Sequence, residues 1–251
     1  MRKMRILAAT LLALAAAPLG HALAEPVKNV VIVHGALADG SSWRKVFDLL
    51  TTKGFTVTVV QPPMTSLGDD VAATKRILDL QDGPSVLVGH SYGGMIVTEA
   101  GTSENVAGLV YVAAFQPDAG ETLLDLAARK PAATKGIAAT DDGYLYLDPE
   151  VFAADFAADV PEVEARFMAH SQVFPAKSAF ETKITVPAWK GKKSWALIAT
   201  EDRAIHPDLM RTMAKRAGSD TVEVKASHAV FLSQPAAVAE LIEKAATALS
   251  D

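Results

Sequence analysis

Between residues 85 and 98 the chain reads S-V-L-V-G-H-S-Y-G-G-M-I-V-T, and no other stretch restricts the fold as tightly. Its apolar, β-branched opening, introduced by Gly83 and Pro84, predicts a buried strand, and the segment after Gly94 predicts a helix. Between them, Gly89-His90-Ser91-Tyr92-Gly93 has the G-x-S-x-G spacing of a strand-turn-helix elbow. Such a turn is so tight that a β-carbon at either glycine would meet neighbouring backbone, which leaves Ser91 strained with its hydroxyl projecting. The helix that begins there aims backbone N–H groups at the same spot, where negative charge collects when a carbonyl is attacked. Ser91 is therefore a candidate nucleophile. The spacing is common, so its partners must be found elsewhere.

On either side of the elbow, strand and helix patterns alternate. Residues 27–33 (V-K-N-V-V-I-V) are apolar nearly throughout, as a strand covered on both faces must be. They run into His34-Gly35-Ala36-Leu37, followed by a helix with Trp43, Val46, Phe47, Leu49 and Leu50 on one side and Gly54 at its end. A strand at 55–60, a helix built on Leu67, Val71, Thr74, Ile77 and Leu78, and a strand at 106–113 complete a strand-helix rhythm. The rhythm resumes with a strand at 194–200, a helix at 207–217, a strand at 221–224 and a helix at 235–249. Alternation of this kind means an α/β fold with a mostly parallel sheet and right-handed crossovers.

From about 115 to 189 the rhythm fails. The stretch contains six prolines, no clean strand pattern, and helical patches at 122–128, 149–157 and 160–170. Nine of the sixteen aromatics of the chain fall in it. A segment this long with helices of its own is expected to be a cap inserted in the domain, with some aromatics packing it down and others walling an apolar pocket.

The first 24 residues have a basic start (Arg2, Lys3, Arg5), an apolar run broken by Pro18 and Gly20, and an A-x-A site at 22–24. This describes a cleavable export signal rather than a membrane span. The expected mature domain is 25–251, periplasmic or secreted. Loss of the leader would take the formal charge from −5 to −8. An acidic chain with no basic cluster is a poor partner for nucleic acid, and no membrane span is expected after cleavage. The chain has no cysteine, which excludes a thiol nucleophile or a Cys-based zinc site.

A serine attacks at neutral pH only with a base within reach and a group that orients the base. Of six histidines, His21 lies in the leader, and His90 sits within the elbow, where its side chain must diverge from that of Ser91. His34 ends a strand, His170 is in the cap and His206 opens a helix. His228 alone follows the last strand, before the final helix. Loops at the carboxyl ends of parallel strands meet in space although they are far apart in sequence. Asp202, after the preceding strand, is the candidate acid, with Glu201, Asp208 and Asp118 as alternatives. The oxyanion hole requires the N–H of Tyr92 and one from the loop after the first strand, with Ala36 first and Leu37 next.

H-G-A at 34–36, G-H-S-Y-G-G at 89–94, Q-P-D at 116–118, T-E-D-R at 200–203 and S-H at 227–228 together resemble the α/β-hydrolase superfamily. The likeness is greatest to its branch of small esterases and hydroxynitrile lyases, including plant methylesterases and exported bacterial hydrolases. The order Ser91, Asp202, His228 is the one that superfamily uses. The resemblance implies a six-stranded core, a cap after the fourth strand, no metal or other cofactor, and a small-molecule ester as substrate. A homodimer is left open. The lyases of this branch place a threonine after the strand-end histidine and a lysine after the catalytic one; here those positions hold Gly35 and Ala229. The resemblance therefore implies ester hydrolysis through an acyl-enzyme. A lyase on the same triad and a non-catalytic receptor are the competing readings. Gly35, Leu37 and Ala229 beside the triad, and Phe115, Tyr144 and Trp189 from the insert, are the expected pocket walls.

Overall fold

Six strands form one parallel sheet, and the order in which they lie decides where chemistry can collect. The computed structural model describes residues 27–250. The expected leader at 1–24 lies outside the described residues. The first half comprises β1 (Asn29–Val33), a 3-10 turn at Gly40–Trp43, α1 (Arg44–Thr52), β2 (Thr56–Val60), α2 (Leu67–Leu78), β3 (Ser85–His90), α3 (Gly93–Ala100) and β4 (Val106–Val112). The insert contains α4 (Leu123–Arg129), β5 (Ile137–Ala139), β6 (Leu145–Leu147), α5 (Pro149–Phe156), α6 (Glu162–His170) and α7 (Lys177–Glu181). The chain then returns to the sheet through β7 (Ser194–Ala199), α8 (Pro207–Ala217), β8 (Asp220–Val224), α9 (Val230–Ser233) and α10 (Pro235–Ala248).

The strand order is β2-β1-β3-β4-β7-β8, with every neighbouring pair parallel. From β1 the chain first steps one way to β2, then crosses over to β3 and continues the other way. Right-handed crossovers that advance in opposite directions place their helices on opposite faces, which opens a crevice at the carboxyl ends of β1 and β3. The loops carrying Ala36 and Ser91 border that crevice.

Burial explains why some strands announced themselves and others less so. β1, β3 and β7 are buried at every position, so their sequences are apolar runs. The edge strands β2 and β8 are partly exposed, and β8 reads D-T-V-E-V. On one face α1 and α10 pack together, α1 burying Val46 and Leu50 and α10 burying Val238, Leu241, Ile242 and Ala245. Local signals set the helix ends: Ser66 caps α2, Thr122 and Asp125 form a reciprocal capping box on α4, and α8 stops at Gly218 in the left-handed region (φ 67°).

The insert departs from its sequence reading in three ways. It contains a short antiparallel hairpin, β5 with β6, where no strand was expected. It contains a further one-turn helix, α7. Phe115 also belongs to the sheet end rather than to the cap, because its N–H donates to the Ser91 carbonyl at 3.1 Å. Strands of three residues carry too little periodicity to be read, and the hairpin is held from outside, by Gln172 bonding both the N–H and the carbonyl of Leu147.

Candidate active site

The elbow has the geometry its spacing predicts. Ser91 has a φ of 53°, left-handed for a residue with a side chain. A β-carbon on Gly89 would lie 2.7 Å from the Gly93 carbonyl oxygen, and one on Gly93 would lie 2.6 Å from that of Val33. Both distances are prohibitive, so the elbow closes only with glycine on each side. No side chain caps α3, and the Tyr92 N–H has no acceptor among the described residues. The same holds for the Ala36 N–H. Leu37, the alternative donor, is committed: its N–H bonds the Val173 carbonyl at 3.2 Å, with Leu37 itself at φ 65°. Two uncommitted N–H groups thus flank the crevice, one from each strand that borders it.

Asp202 and His228 meet beneath the surface. His228 Nδ1 lies 2.6 Å from Asp202 Oδ2, and both side chains are almost wholly buried. The other carboxylate oxygen, Oδ1, accepts the N–H groups of Ala204 and Ile205 at 2.8 Å each. With its oxygens engaged as acceptors, the carboxylate leaves the shared proton on Nδ1, so Nε2 of His228 presents a lone pair. The alternative acids have other partners: Asp118 pairs with Lys190 at 2.5 Å, Glu201 with Lys225 at 3.6 Å, and Asp208 with Lys130 and Arg211. Among the described residues the Ser91 hydroxyl makes no hydrogen bond, to His228 or to any other group. Nucleophile-base contacts are commonly loose before substrate binds and tighten in the complex.

Ser91 and His228 are nevertheless linked through His90. Its ring lies 4.6 Å from that of His228, and its Nε2–H donates to the His228 carbonyl at 3.1 Å. Burial, reinforced by the proximity of the His228 ring, holds the His90 imidazole well below its ordinary titration range. It is neutral and serves as a brace. The sequence placed this side chain away from Ser91 without giving it a task; only the fold brings it under the other loop. His34 is buried and its Nδ1–H donates to the Gly35 carbonyl at 2.8 Å, bracing the loop after β1.

Tyr92 brings a second support that sequence reasoning missed. Its hydroxyl donates to Asp70 Oδ2 on α2 at 2.7 Å, while Asp70 Oδ1 accepts the Met64 N–H at 2.7 Å. Asp70 is fully buried and has no cation beside it among the described residues. Burial therefore pushes its carboxyl upward, against the pull of the two hydrogen bonds, and the Tyr92 phenol is pushed up by burial and by the Asp70 charge. The residue whose N–H faces the crevice is thus pinned by its own side chain.

The expected pocket residues divide. Gly35 touches the elbow so closely that a β-carbon there would lie 2.7 Å from the Ser91 β-carbon. Ala229 is buried beside His228 and donates its N–H to the Phe156 carbonyl at 2.9 Å. Tyr144 is half-buried at the hairpin turn and bridges Ala176. Trp189 stands at the root of the insert, where its indole N–H donates to the Pro117 carbonyl at 2.7 Å and its ring lies beside Lys190 and Arg216. The aromatics that do approach the histidines are Phe156, edge-on to His228 at 4.7 Å, and Phe231, edge-on to His90 at 4.7 Å. Among the described residues no group of three His, Cys, Asp or Glu side chains is placed to hold a metal ion, and no helix is long and apolar enough to cross a membrane.

Comparison with known proteins gives a consistent picture. Residues 30–241 match the alpha/beta hydrolase family. The chain is 33% identical to a carbendazim hydrolyzing esterase of Nocardioides sp. over 118 residues, which cover 39% of this chain and 46% of that protein. It is 27% identical to a pyrethroid hydrolase of Sphingobium wenxiniae over 250 residues, covering 86% of each. A crystal structure of a pyrethroid hydrolase superposes with a TM-score of 0.77 at 23% identity, over 90% of this chain and all of the other.

Proposed function

Since the chain belongs to the alpha/beta hydrolase family, we propose that it is a serine esterase cleaving carboxylic esters through Ser91, His228 and Asp202. The observation that carries this reading is the buried 2.6 Å contact between His228 and Asp202, made at the same end of the sheet as the Ser91 elbow. Ser91 Oγ attacks the ester carbonyl as Nε2 of His228 takes its proton. The N–H groups of Ala36 and Tyr92 hold the oxyanion, each contributing about 3 kcal/mol to transition-state binding. The imidazolium, stabilised by Asp202, gives its proton to the departing alcohol. Water then enters, His228 again acts as base, and the acyl group leaves as the acid.

The closeness of Gly35 to Ser91 favours hydrolysis over the lyase alternative, because a threonine there would press its β-carbon against the Ser91 β-carbon and the His90 ring. The apolar, aromatic environment of His228 supports neutral apolar esters as substrates over charged ones. Relatives named for hydrolysing pyrethroids and carbendazim support a hydrolytic role. The leader at 1–24 supports export; the mature chain would begin at Glu25, which N-terminal sequencing of the released protein checks.

The test is hydrolysis of a p-nitrophenyl ester by wild type and Ser91→Ala, with a fluorophosphonate probe to mark the nucleophile. The expected result is a loss of about 10³-fold or more in kcat and labelling confined to Ser91. An active Ser91→Ala enzyme would overturn the reading.

A further inference from the structure

The loop that carries His228 is held by the cap at the positions on either side of the histidine. Both donors of Ser227 go to one carboxylate: its N–H bonds Asp159 Oδ2 at 3.2 Å and its hydroxyl bonds Asp159 Oδ1. On the other side, the Ala229 N–H bonds the Phe156 carbonyl at 2.9 Å, and the Phe156 ring stands at 84° to the His228 imidazole. The same stretch of cap also holds the loop of the acid. Arg203, the residue after Asp202, donates through Nε to Asp155 Oδ1 at 2.8 Å, and its carbonyl accepts the Thr134 N–H at 2.9 Å. Residues 155–159, at the end of α5, thus grip both loops on which the His228–Asp202 pair is mounted.

We infer that Asp159, acting through Ser227, is a positioning residue for ester cleavage that sets where the His228 imidazole stands relative to Ser91. This rests on the reading of Ser91, His228 and Asp202 as the triad. The physical reason lies in the asymmetry of burial. Ser227 is buried, so without Asp159 its N–H and hydroxyl would be unsatisfied, and the loop would have to shift to hydrate them. Asp159 is exposed on the cap, so its replacement removes the hold without opening the core. Two bonds from one carboxylate to successive donors of one residue also fix the loop's rotation, which a single bond would not. His228 is one residue away, and small displacements of a base are costly because proton transfer demands hydrogen-bond geometry.

The experiment measures steady-state hydrolysis of p-nitrophenyl butyrate by Asp159→Ala, Asp159→Asn and Ser227→Ala, with rates expressed per site titrated to end point by a fluorophosphonate. Asp159→Ala is expected to lower kcat by about tenfold or more with KM within about twofold of wild type. Asp159→Asn, which keeps an oxygen for one Ser227 donor, recovers part of that loss, and Ser227→Ala falls between. A merely structural role would lower the number of titratable sites and leave kcat per site unchanged. Wild-type kcat per site in Asp159→Ala, or a loss confined to KM, overturns the inference. Should Asp159→Ala not fold, wild-type kcat in both other variants overturns it equally. An inactive Ser91→Ala beside a fully active Asp159→Ala would remove this inference alone, whereas an active Ser91→Ala would remove the esterase reading itself.

Discussion

His90 donates its Nε2–H to the backbone carbonyl of His228, so the residue preceding the elbow serine supports the loop that carries the other imidazole. His90 ends β3, whereas His228 lies in the loop after β8, and the two are 138 positions apart in sequence. The contact couples the orientation of the His228 ring to the strand that ends in the elbow, across the middle of the sheet.

Removing this brace should cost both activity and stability. His90→Ala deletes a fully buried ring that packs against Phe231 and His228, and it leaves the His228 carbonyl unpaired. The expected destabilisation is about 2–4 kcal/mol, with kcat lowered by about tenfold. Thermal denaturation and p-nitrophenyl ester kinetics measure the two effects. A variant that loses stability but keeps wild-type kcat would show that His90 only fills space.

Asp202→Asn should preserve the fold and abolish most turnover. The amide oxygen still accepts from Ala204 and Ile205, but the amide nitrogen then faces Nδ1 as a donor. That arrangement moves the imidazole proton to Nε2 and removes the lone pair that would take the Ser91 proton. A fall in kcat of about 10³–10⁴-fold with an almost unchanged Tm is expected, by analogy with triad asparagine variants. A loss below tenfold would point to a different orienting group.

Asp70→Asn tests the support beneath Tyr92. Burial raises the Asp70 carboxyl above its unfolded value of 3.8, so ionisation subtracts stability once pH rises past that value. Asparagine keeps an acceptor for the Met64 N–H, and the Tyr92 hydroxyl can turn to accept from the amide nitrogen. The variant is expected to gain on the order of 1 kcal/mol at pH 7, with the gain shrinking towards pH 4. Urea denaturation at both pH values measures it. A loss at pH 7 would mean that Tyr92 needs the charged carboxylate.

Acid should weaken the fold through its buried histidines. Burial depresses both His34 and His90 below the ordinary value of 6.5, so each binds its proton more readily in the unfolded chain. Their contribution is complete above about pH 6.5 and is lost as pH falls below it, at up to about 2.7 kcal/mol per pH unit while both titrate. Tm is expected to decline from pH 7 to pH 5, and to decline less steeply in His34→Gln. A Tm that stays level across this range would show that neither ring changes its proton affinity on folding.

Much of the site was legible because its parts announce themselves locally. The elbow needs glycine at 89 and 93 whatever surrounds it, and buried strands such as β1 and β3 must be apolar, so both were read from residue types alone. Asp202 and His228 were found from their places after successive strands. What escaped notice was support of long range. Asp70, Asp159 and Phe156 lie in stretches that look like an ordinary helix surface, a cap turn and a packing aromatic, and only contact with Tyr92, Ser227 and His228 gives them a task. Trp189 shows how much of a cap aromatic's setting is long-range: its indole N–H meets the Pro117 carbonyl and its ring lies beside Lys190 and Arg216 at the root of the insert, contacts that no local pattern announces.

The residue order by itself determined the alternating architecture and the strained serine, since each follows from steric or periodic demands acting within a short stretch, and it narrowed the base and its acid to loops at one end of the sheet. Tertiary structure alone decided which of four carboxylates meets His228, which N–H groups remain uncommitted, and that a segment of cap carries both loops. Those outcomes depend on which strands neighbour one another and on how far side chains reach across the gaps between them. Distances of that kind arise from packing the whole domain and are written in no single stretch of it.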